Sequence, residues 1–165
     1  MISVDGLLLE NKPLSNVEIQ NRVCKLGVPG FRGVYVRDNL PNKPRRSECC
    51  VLNLDDRSGK WRHWVAWHKK DGEKYYYDSY GVQPPREMVQ YLQKPIFYNT
   101  ENIQPQREVI CGHLCLYALK ELSHGRNFQQ VVNDLFCLLT NLEEVKQALC
   151  NTLSFLQVVM RTIFI

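Results

Sequence analysis

The sequence predicts an α+β fold in which a small β-sheet, mixed or mostly antiparallel, packs against a central helix. Three observations predict it. A helical pattern with a clear start opens the chain, apolar and aromatic runs of strand length occupy the middle, and the last third has helical periodicity. The 165 residues are enough for one domain with its own apolar core. We therefore expect residues 1–165 to form a single domain.

The first helix and the first strands are marked by local signals. Ser15 and Glu18 have the spacing of a capping box, which predicts a helix start. Gly27 is suited to end that helix, because glycine readily adopts the left-handed conformation that follows a helix. A short edge strand is expected within the glycine- and proline-rich segment 27–46. The run ECCVLNLDD, residues 48–56, has the composition of a buried strand.

A β-hairpin follows. The aromatic-rich runs HWVAWHKK and EKYYYDSYG flank Asp71-Gly72, a dipeptide typical of two-residue hairpin turns. This turn fixes a register in which His63 lies opposite Tyr80, and Asp78 opposite Val65. His63 and Asp78 are then diagonal neighbours on one face, about 7–8 Å apart at the backbone. A carboxylate placed there can hold one imidazole nitrogen and leave the other to act as a base.

The segment after the hairpin is predicted to be irregular, with two short elements. A helix near 86–93 follows Pro84-Pro85, and an extended piece lies near 96–98. A polar loop from 99 to 108 then leads into the final third of the chain.

Three helices are predicted in the final third. The first begins at Cys111, where the run CGHLCLYALKEL places apolar residues on one face. Asn127 is suited to cap a second helix that continues through Leu139. Asn141 is suited to cap a third helix, whose apolar positions continue to Met160. The first of these helices is expected to be the central one.

Cys111 is the candidate nucleophile. A thiol at a helix N-terminus lies at the positive end of the helix dipole, which favours the thiolate. Its backbone N–H is among the donors that a helix start offers, so it can bind an oxyanion. Gly112 is expected to leave the next turn uncrowded for a substrate carbonyl. The side-chain amide of Gln104, in the preceding loop, can supply a second donor, with Gln106 as the alternative.

The other cysteines and histidines have simpler explanations. Seven cysteines is an odd number without regular spacing, so the other six are expected to be reduced and buried in the core. No C-x-x-C pair occurs, so a zinc site is not expected. No other cofactor is expected. His113 is expected to be structural or solvent-facing, and His68 and His124 are expected to be exposed.

These residues, taken in order, resemble the adenovirus maturation protease family, within the fold group that includes SUMO- and ubiquitin-like-protein proteases. The similarity covers about residues 15–125 and is carried by LGVPGFRGVYVRDNLP, HWVAW, YYYDSYG and QPQREVICGHLCLY. It implies an adenain-like cysteine proteinase fold. The site residues that it implies are the nucleophile Cys111, the base His63, the orienting acid Asp78, and Gln104 with the Cys111 amide in the oxyanion hole. Residues 126–165 are expected to be a helical C-terminal extension.

The function implied by this resemblance is that of a cysteine endopeptidase that processes structural precursor proteins of a virus or virus-like element. Two alternatives are a deubiquitinase or deSUMOylase-type isopeptidase and a catalytically silent virion structural or binding protein. The adenovirus enzyme has a peptide cofactor attached by a disulfide to a cysteine upstream of the nucleophile. No cysteine lies between the hairpin and Gln104, so that mode of activation is not expected here.

Composition and charge limit the partners. The net charge of +4 is mild, so only weak nucleic-acid contact is expected, through the basic loop Lys43–Arg46. No run of ~18 apolar residues suits a membrane span, and no signal-peptide pattern is present. We therefore expect an intracellular protein, in the host nucleus or cytoplasm or associated with virions, and not a secreted one. The sequence sets no oligomeric state.

Overall fold

A five-stranded mixed β-sheet forms the centre of the structure, a computed structural model that describes residues 2–4, 7–55, 63–105 and 108–141, with 144 and 147. Four helices accompany the sheet within these residues, which confirms the predicted α+β class. The elements are β1 (Ile2–Val4), β2 (Leu7–Leu9), α1 (Asn16–Leu26), β3 (Phe31–Val36), β4 (Glu48–Asn53), β5 (Trp64–Lys70), β6 (Glu73–Tyr77), α2 (Arg86–Leu92), β7 (Phe97–Tyr98), α3 (Cys111–Ser123) and α4 (128–141).

The strands of the sheet lie in the order β3-β4-β5-β6-β7, and β1 and β2 form a separate antiparallel pair. The two inner pairings are antiparallel, whereas β3–β4 and β6–β7 are parallel. The β5–β6 hairpin has the predicted register, with Ala66 opposite Tyr77. Asp71 and Gly72 have φ values of 51° and 90°, as a type I′ turn requires. The dipeptide therefore sets the register, as predicted.

Helices cover both faces of the sheet. Along β4, Cys49 and Val51 belong to the larger core, and Cys50 and Leu52 to the smaller one, because successive side chains of a strand point to opposite faces. The larger core lies between the sheet, α1, α3 and α4, and the smaller one lies under α2. Nearly all of α3 is buried, so it is the central helix that the sequence predicts.

The first helix has the predicted caps. The Ser15 hydroxyl accepts a hydrogen bond from the Glu18 N–H at 3.2 Å, and a Glu18 carboxylate oxygen accepts from the Ser15 N–H at 2.8 Å. These bonds from the Ser15 backbone and side chain lower the pKa of Glu18 to about 2. Gly27 ends the helix in the left-handed conformation. The capping box and the terminal glycine are both confirmed.

The last described helix is longer than predicted. Asn127 caps α4, since its side-chain oxygen accepts from backbone N–H groups two and three residues further on. The helix continues past Leu139, and Asn141 lies within it instead of starting a new one. Residues 128–141 contain no glycine or proline, and the Thr140 hydroxyl donates to a carbonyl one turn back. Most of the predicted third helix lies outside the described residues.

The cysteines are distributed less uniformly than predicted. Cys49, Cys50 and Cys115 are buried as expected, whereas Cys24 and Cys137 are exposed. α1 and α4 each bury only one side against α3 and the sheet, and these two thiols lie on their outer sides. Cys150 lies outside the described residues. No helix in the described ranges combines the length and apolar character of a membrane span.

Candidate active site

His63 and Asp78 meet at the open end of the β5–β6 hairpin, away from its turn. His63 immediately precedes β5, and Asp78 immediately follows β6. The His63 Nε2 and Asp78 Oδ1 atoms are 2.7 Å apart. The Asp78 side chain is only 1% exposed, so this contact is shielded from water. The proximity predicted from the hairpin register is confirmed, whereas the catalytic roles remain predictions.

Asp78 is held by its backbone as well as by its side chain. Asp78 Oδ1 also accepts a hydrogen bond from the Tyr80 N–H at 2.8 Å. The Asn99 side chain binds both backbone groups of Asp78, accepting from its N–H at 3.0 Å and donating to its carbonyl at 2.7 Å. Asn99 directly follows β7, so its carboxamide extends the parallel β6–β7 pairing by one residue. The carboxylate therefore has a fixed position.

The turn after Asp78 explains why a glycine follows Tyr80. The Gly81 N–H donates to the Asp78 carbonyl at 2.9 Å, and Gly81 has a φ of 69°. A Cβ atom at this position would lie 2.5 Å from the carbonyl oxygen of Thr100. Both the left-handed conformation and the close approach of the 99–101 segment therefore require glycine.

Cys111 is the first residue of α3 and is 6% exposed. The residue before it, Ile110, makes no side-chain cap hydrogen bond to this helix start. A Cβ atom at Gly112 would lie 3.1 Å from the Trp64 ring and 3.3 Å from Leu14. Gly112 therefore lets α3 pack closely against the histidine-bearing strand. The expectation that it makes room for a substrate carbonyl is wrong, because Trp64 and Leu14 occupy that side.

The Cys111 side chain lies near the His63 imidazole. Asp78 holds the Nε2 atom of this ring, whereas Nδ1 is buried and has no hydrogen-bond partner among the described residues. Burial lowers the pKa of His63, but the hydrogen bond to Asp78 and the interactions with the Asp78 and Cys111 groups raise it to about 9. The imidazolium is therefore favoured at neutral pH. A cysteine beside an imidazolium at a helix start can react as a thiolate.

Gln104 is joined to the site through the turn after Asp78. The Ser79 carbonyl accepts from the Gln104 N–H at 3.0 Å, and the Ser79 hydroxyl donates to Gln104 Oε1 at 3.0 Å. Gln104 Nε2 donates to the Tyr80 hydroxyl at 3.3 Å and to the Glu108 carbonyl. Gln104 is buried, and these contacts join its amide to Tyr80, whose ring lies against His63. The alternative residue, Gln106, lies outside the described residues.

Two residues of the site were missed by sequence reasoning. Tyr80 stacks on His63, with the ring centroids 4.7 Å apart and the planes at 31°. The predicted hairpin register places Tyr80 opposite His63, so the sequence indicated that the two side chains are neighbours but not what Tyr80 does. No sequence pattern indicated a role for Asn99. Its side chain binds the Asp78 backbone only because the connecting segment brings β7 beside β6.

The other histidines lie in different environments. His113 is fully buried and not solvent-facing; burial, followed by the charge of Arg22, lowers its pKa to about 4. His68 is buried, contrary to expectation, and burial followed by the charge of Lys70 lowers its pKa. His124 is exposed as predicted. Within the described residues, no group of three or more His, Cys, Asp or Glu side chains is arranged to hold a metal ion.

The fold is similar to that of a viral protease. A crystal structure of the ASFV pS273R protease superposes with a TM-score of 0.56 at 15% sequence identity, covering 80% of this chain and 67% of that one. A selenomethionine form of that protease gives a TM-score of 0.55 at 14% identity, covering 80% and 68%. No protein-family model and no curated protein sequence matches the chain. This likeness shows the fold and does not single out the adenovirus type.

Proposed function

We propose that this chain, as one domain of residues 1–165, is a cysteine endopeptidase of the adenain type. Cys111 is the nucleophile, His63 the general base, and Asp78 the group that orients the histidine. The observation that carries the proposal is the 2.7 Å contact between His63 Nε2 and the buried Asp78 carboxylate, next to a thiol at a helix start. The shared fold with a viral protease supports it.

The geometry suits a thiolate mechanism. Cys111 Sγ attacks the substrate carbonyl carbon, and the His63 imidazolium gives its Nδ1 proton to the departing amine, which leaves a thioester. Water then attacks the thioester while His63 takes up the proton, and the thiolate is released. Asp78 stabilises the charged ring throughout without taking a proton.

The oxyanion of each tetrahedral intermediate is assigned to the Cys111 N–H and the Gln104 amide. Gln104 carries two N–H donors, one directed at the Glu108 carbonyl and one at the Tyr80 hydroxyl. The bond to Tyr80 is long at 3.3 Å. The same N–H can therefore be shared between this hydroxyl and a substrate oxyanion, while the hydroxyl keeps the amide in position. Loss of such a donor lowers turnover by about 10²–10³-fold in enzymes of this kind.

The proposed substrates are structural precursor proteins of a virus or virus-like element. The viral origin of the similar ASFV protease supports this choice. The exposed basic loop Lys43–Arg46 is proposed to give weak, salt-sensitive contact with nucleic acid. We propose that the protein works inside the host cell, in the nucleus or cytoplasm, or in the virion.

The proposal is tested by labelling with a thiol-reactive active-site probe. Because Cys24 and Cys137 are exposed, the labelling is done in a background in which they and Cys150 are replaced by serine. Labelling is expected in this background and is expected to be lost in Cys111→Ala. His63→Ala is expected to slow it by at least about 10²-fold, since the thiolate loses its imidazolium partner.

Equal labelling of the background, Cys111→Ala and His63→Ala would refute the protease proposal. Cys115→Ser is the matched control, because this thiol is fully buried one turn along α3 and is not expected to react. Capsid-type peptides are compared with ubiquitin-like vinyl-sulfone probes. Reaction with the latter alone would favour the isopeptidase, and intact folding without any labelling would favour the silent structural protein.

A further inference from the structure

One side chain, Tyr80, joins groups that the proposed mechanism uses separately. Its ring lies against the His63 imidazole at a centroid distance of 4.7 Å. Its hydroxyl accepts a hydrogen bond from Gln104 Nε2 at 3.3 Å. Its backbone N–H donates to Asp78 Oδ1 at 2.8 Å, so the Tyr80 backbone is held in the same turn as Asp78.

The ring contact has an electrostatic consequence. The face of an aromatic ring attracts a cation within about 6 Å of its centre, and His63 is favoured in its charged form. Tyr80 is 38% exposed, so its ring covers one side of the imidazole while its own outer edge meets solvent. Such a ring stabilises the imidazolium and limits rotation of the histidine away from the sulfur.

The hydroxyl contact links this ring to the proposed oxyanion hole. Gln104 Oε1 is held by Ser79, so the position of the Nε2 group depends on its two acceptors, the Tyr80 hydroxyl and the Glu108 carbonyl. Without the hydroxyl, the amide keeps only the Glu108 carbonyl as an acceptor at this end. Tyr80 therefore affects both the charge of the His63 imidazole and the orientation of the Gln104 amide.

We propose that Tyr80 is a positioning residue that couples the general base to the oxyanion glutamine. Its ring holds the His63 imidazolium in place, and its hydroxyl orients Gln104. This inference rests on the proposed protease function and adds a residue to it. The two contacts can be separated, because phenylalanine keeps the ring and removes the hydroxyl, whereas leucine removes both.

The test compares Tyr80→Phe and Tyr80→Leu in peptide cleavage and in the pKa of His63, measured by NMR in a Cys111→Ala background. Tyr80→Phe is expected to lower kcat about 10-fold with little change in KM, because an oxyanion contact acts mainly in the transition state. Its His63 pKa is expected to stay unchanged. Tyr80→Leu is expected to lower kcat further and to lower the His63 pKa by about 0.5–1 unit.

The matched controls are Tyr98→Phe and Tyr98→Leu, since Tyr98 is 40% exposed and lies on β7. Neither control is expected to change kcat or the His63 pKa. If Tyr80→Leu, folded by circular dichroism, keeps the wild-type kcat and His63 pKa, the inference is overturned while the protease function stands. If the wild-type protein cleaves no peptide and is not labelled by the probe, the protease function fails. An unchanged His63 pKa in Tyr80→Leu, measured by NMR, would overturn the inference separately.

Discussion

Two buried carboxylates at different places in the sheet show what distinguishes a structural ion pair from the candidate catalytic one. Asp78 is 1% exposed and lies just after β6, and Glu48 is 2% exposed and begins β4. Each is paired with a basic side chain at hydrogen-bond distance, Asp78 with His63 at 2.7 Å and Glu48 with Arg32 at 2.8 Å. By burial and distance alone the two pairs look alike.

The Glu48 carboxylate is fully occupied. One oxygen accepts from Arg32 and from the Arg45 N–H at 2.9 Å, and the other accepts from the Tyr91 hydroxyl at 2.8 Å. The guanidinium keeps its charge at any pH at which the protein is folded. This network anchors the start of the basic loop to the sheet, and it has no group that can exchange a proton with a substrate.

The Asp78 carboxylate is occupied on one side only. Oδ1 accepts from both His63 and the Tyr80 N–H, whereas Oδ2 is buried and has no hydrogen-bond partner among the described residues. The His63 ring that pairs with Asp78 can lose its proton, and it lies near the Cys111 thiol. This difference supports the proposal that Asp78 is the catalytic acid, because its partner can exchange a proton and lies near the proposed nucleophile.

The largest expected effect is that of Asp78→Asn on catalysis. Asparagine keeps the shape and an acceptor for the Tyr80 N–H, but it removes the charge that stabilises the His63 imidazolium. We expect kcat/KM per folded molecule to fall by about 10²–10⁴-fold, measured by peptide cleavage. The thermal unfolding midpoint is expected to fall by only a few degrees, because the His63 charge contributes less stability when its pKa is lower. A variant that loses stability but keeps its kcat/KM per folded molecule would make Asp78 as structural as Glu48.

Glu48→Gln is expected to have the opposite signature. The change leaves the Arg32 guanidinium, with a side chain only 18% exposed, beside a neutral amide. We expect the free energy of unfolding in urea to fall by about 3 kcal/mol, with kcat/KM unchanged for the folded fraction. Glu87→Gln is the matched control, because the Arg37–Glu87 pair is about half exposed and is expected to contribute at most about 1 kcal/mol. Equal effects of the two changes would remove the basis of the comparison.

The features of the fold and the candidate site that the sequence predicts depend on local signals. The capping box at Ser15, the Asp71-Gly72 turn and the helix start at Cys111 each depend on residues close in the chain. The turn then brings His63 and Asp78 together, because a two-residue turn leaves one register for the whole hairpin. The proximity of the acid and the base was therefore predictable without any knowledge of the rest of the fold.

The remaining contacts depend on how distant segments cross. The parallel β6–β7 pairing puts Asn99 beside Asp78, and nothing in the chain between them encodes that approach. Glu48 and His113 are polar residues whose burial is decided by α2 and α1, so their local sequence gives no sign of it. Gly112 shows the same limit, since its role depends on Trp64 and Leu14, which are distant in the chain.

The smallest predicted effect is a shift in pH dependence, and it separates the two carboxylates without any loss of fold. The pKa of His63 is raised to about 9, so the stability that its charge contributes is complete below its ordinary pKa of 6.5 and is lost as the pH rises through 9. The thiolate–imidazolium pair is lost over the same interval, and peptide cleavage is expected to decline on the alkaline side near pH 9.

Asp78→Asn is expected to move this decline to lower pH by about 1–2 units, because the hydrogen bond and charge that raise the pKa of His63 are weakened. Glu48→Gln should leave it in place, and a decline that moves equally in both variants would show that His63 responds to the general charge of the protein and not to Asp78.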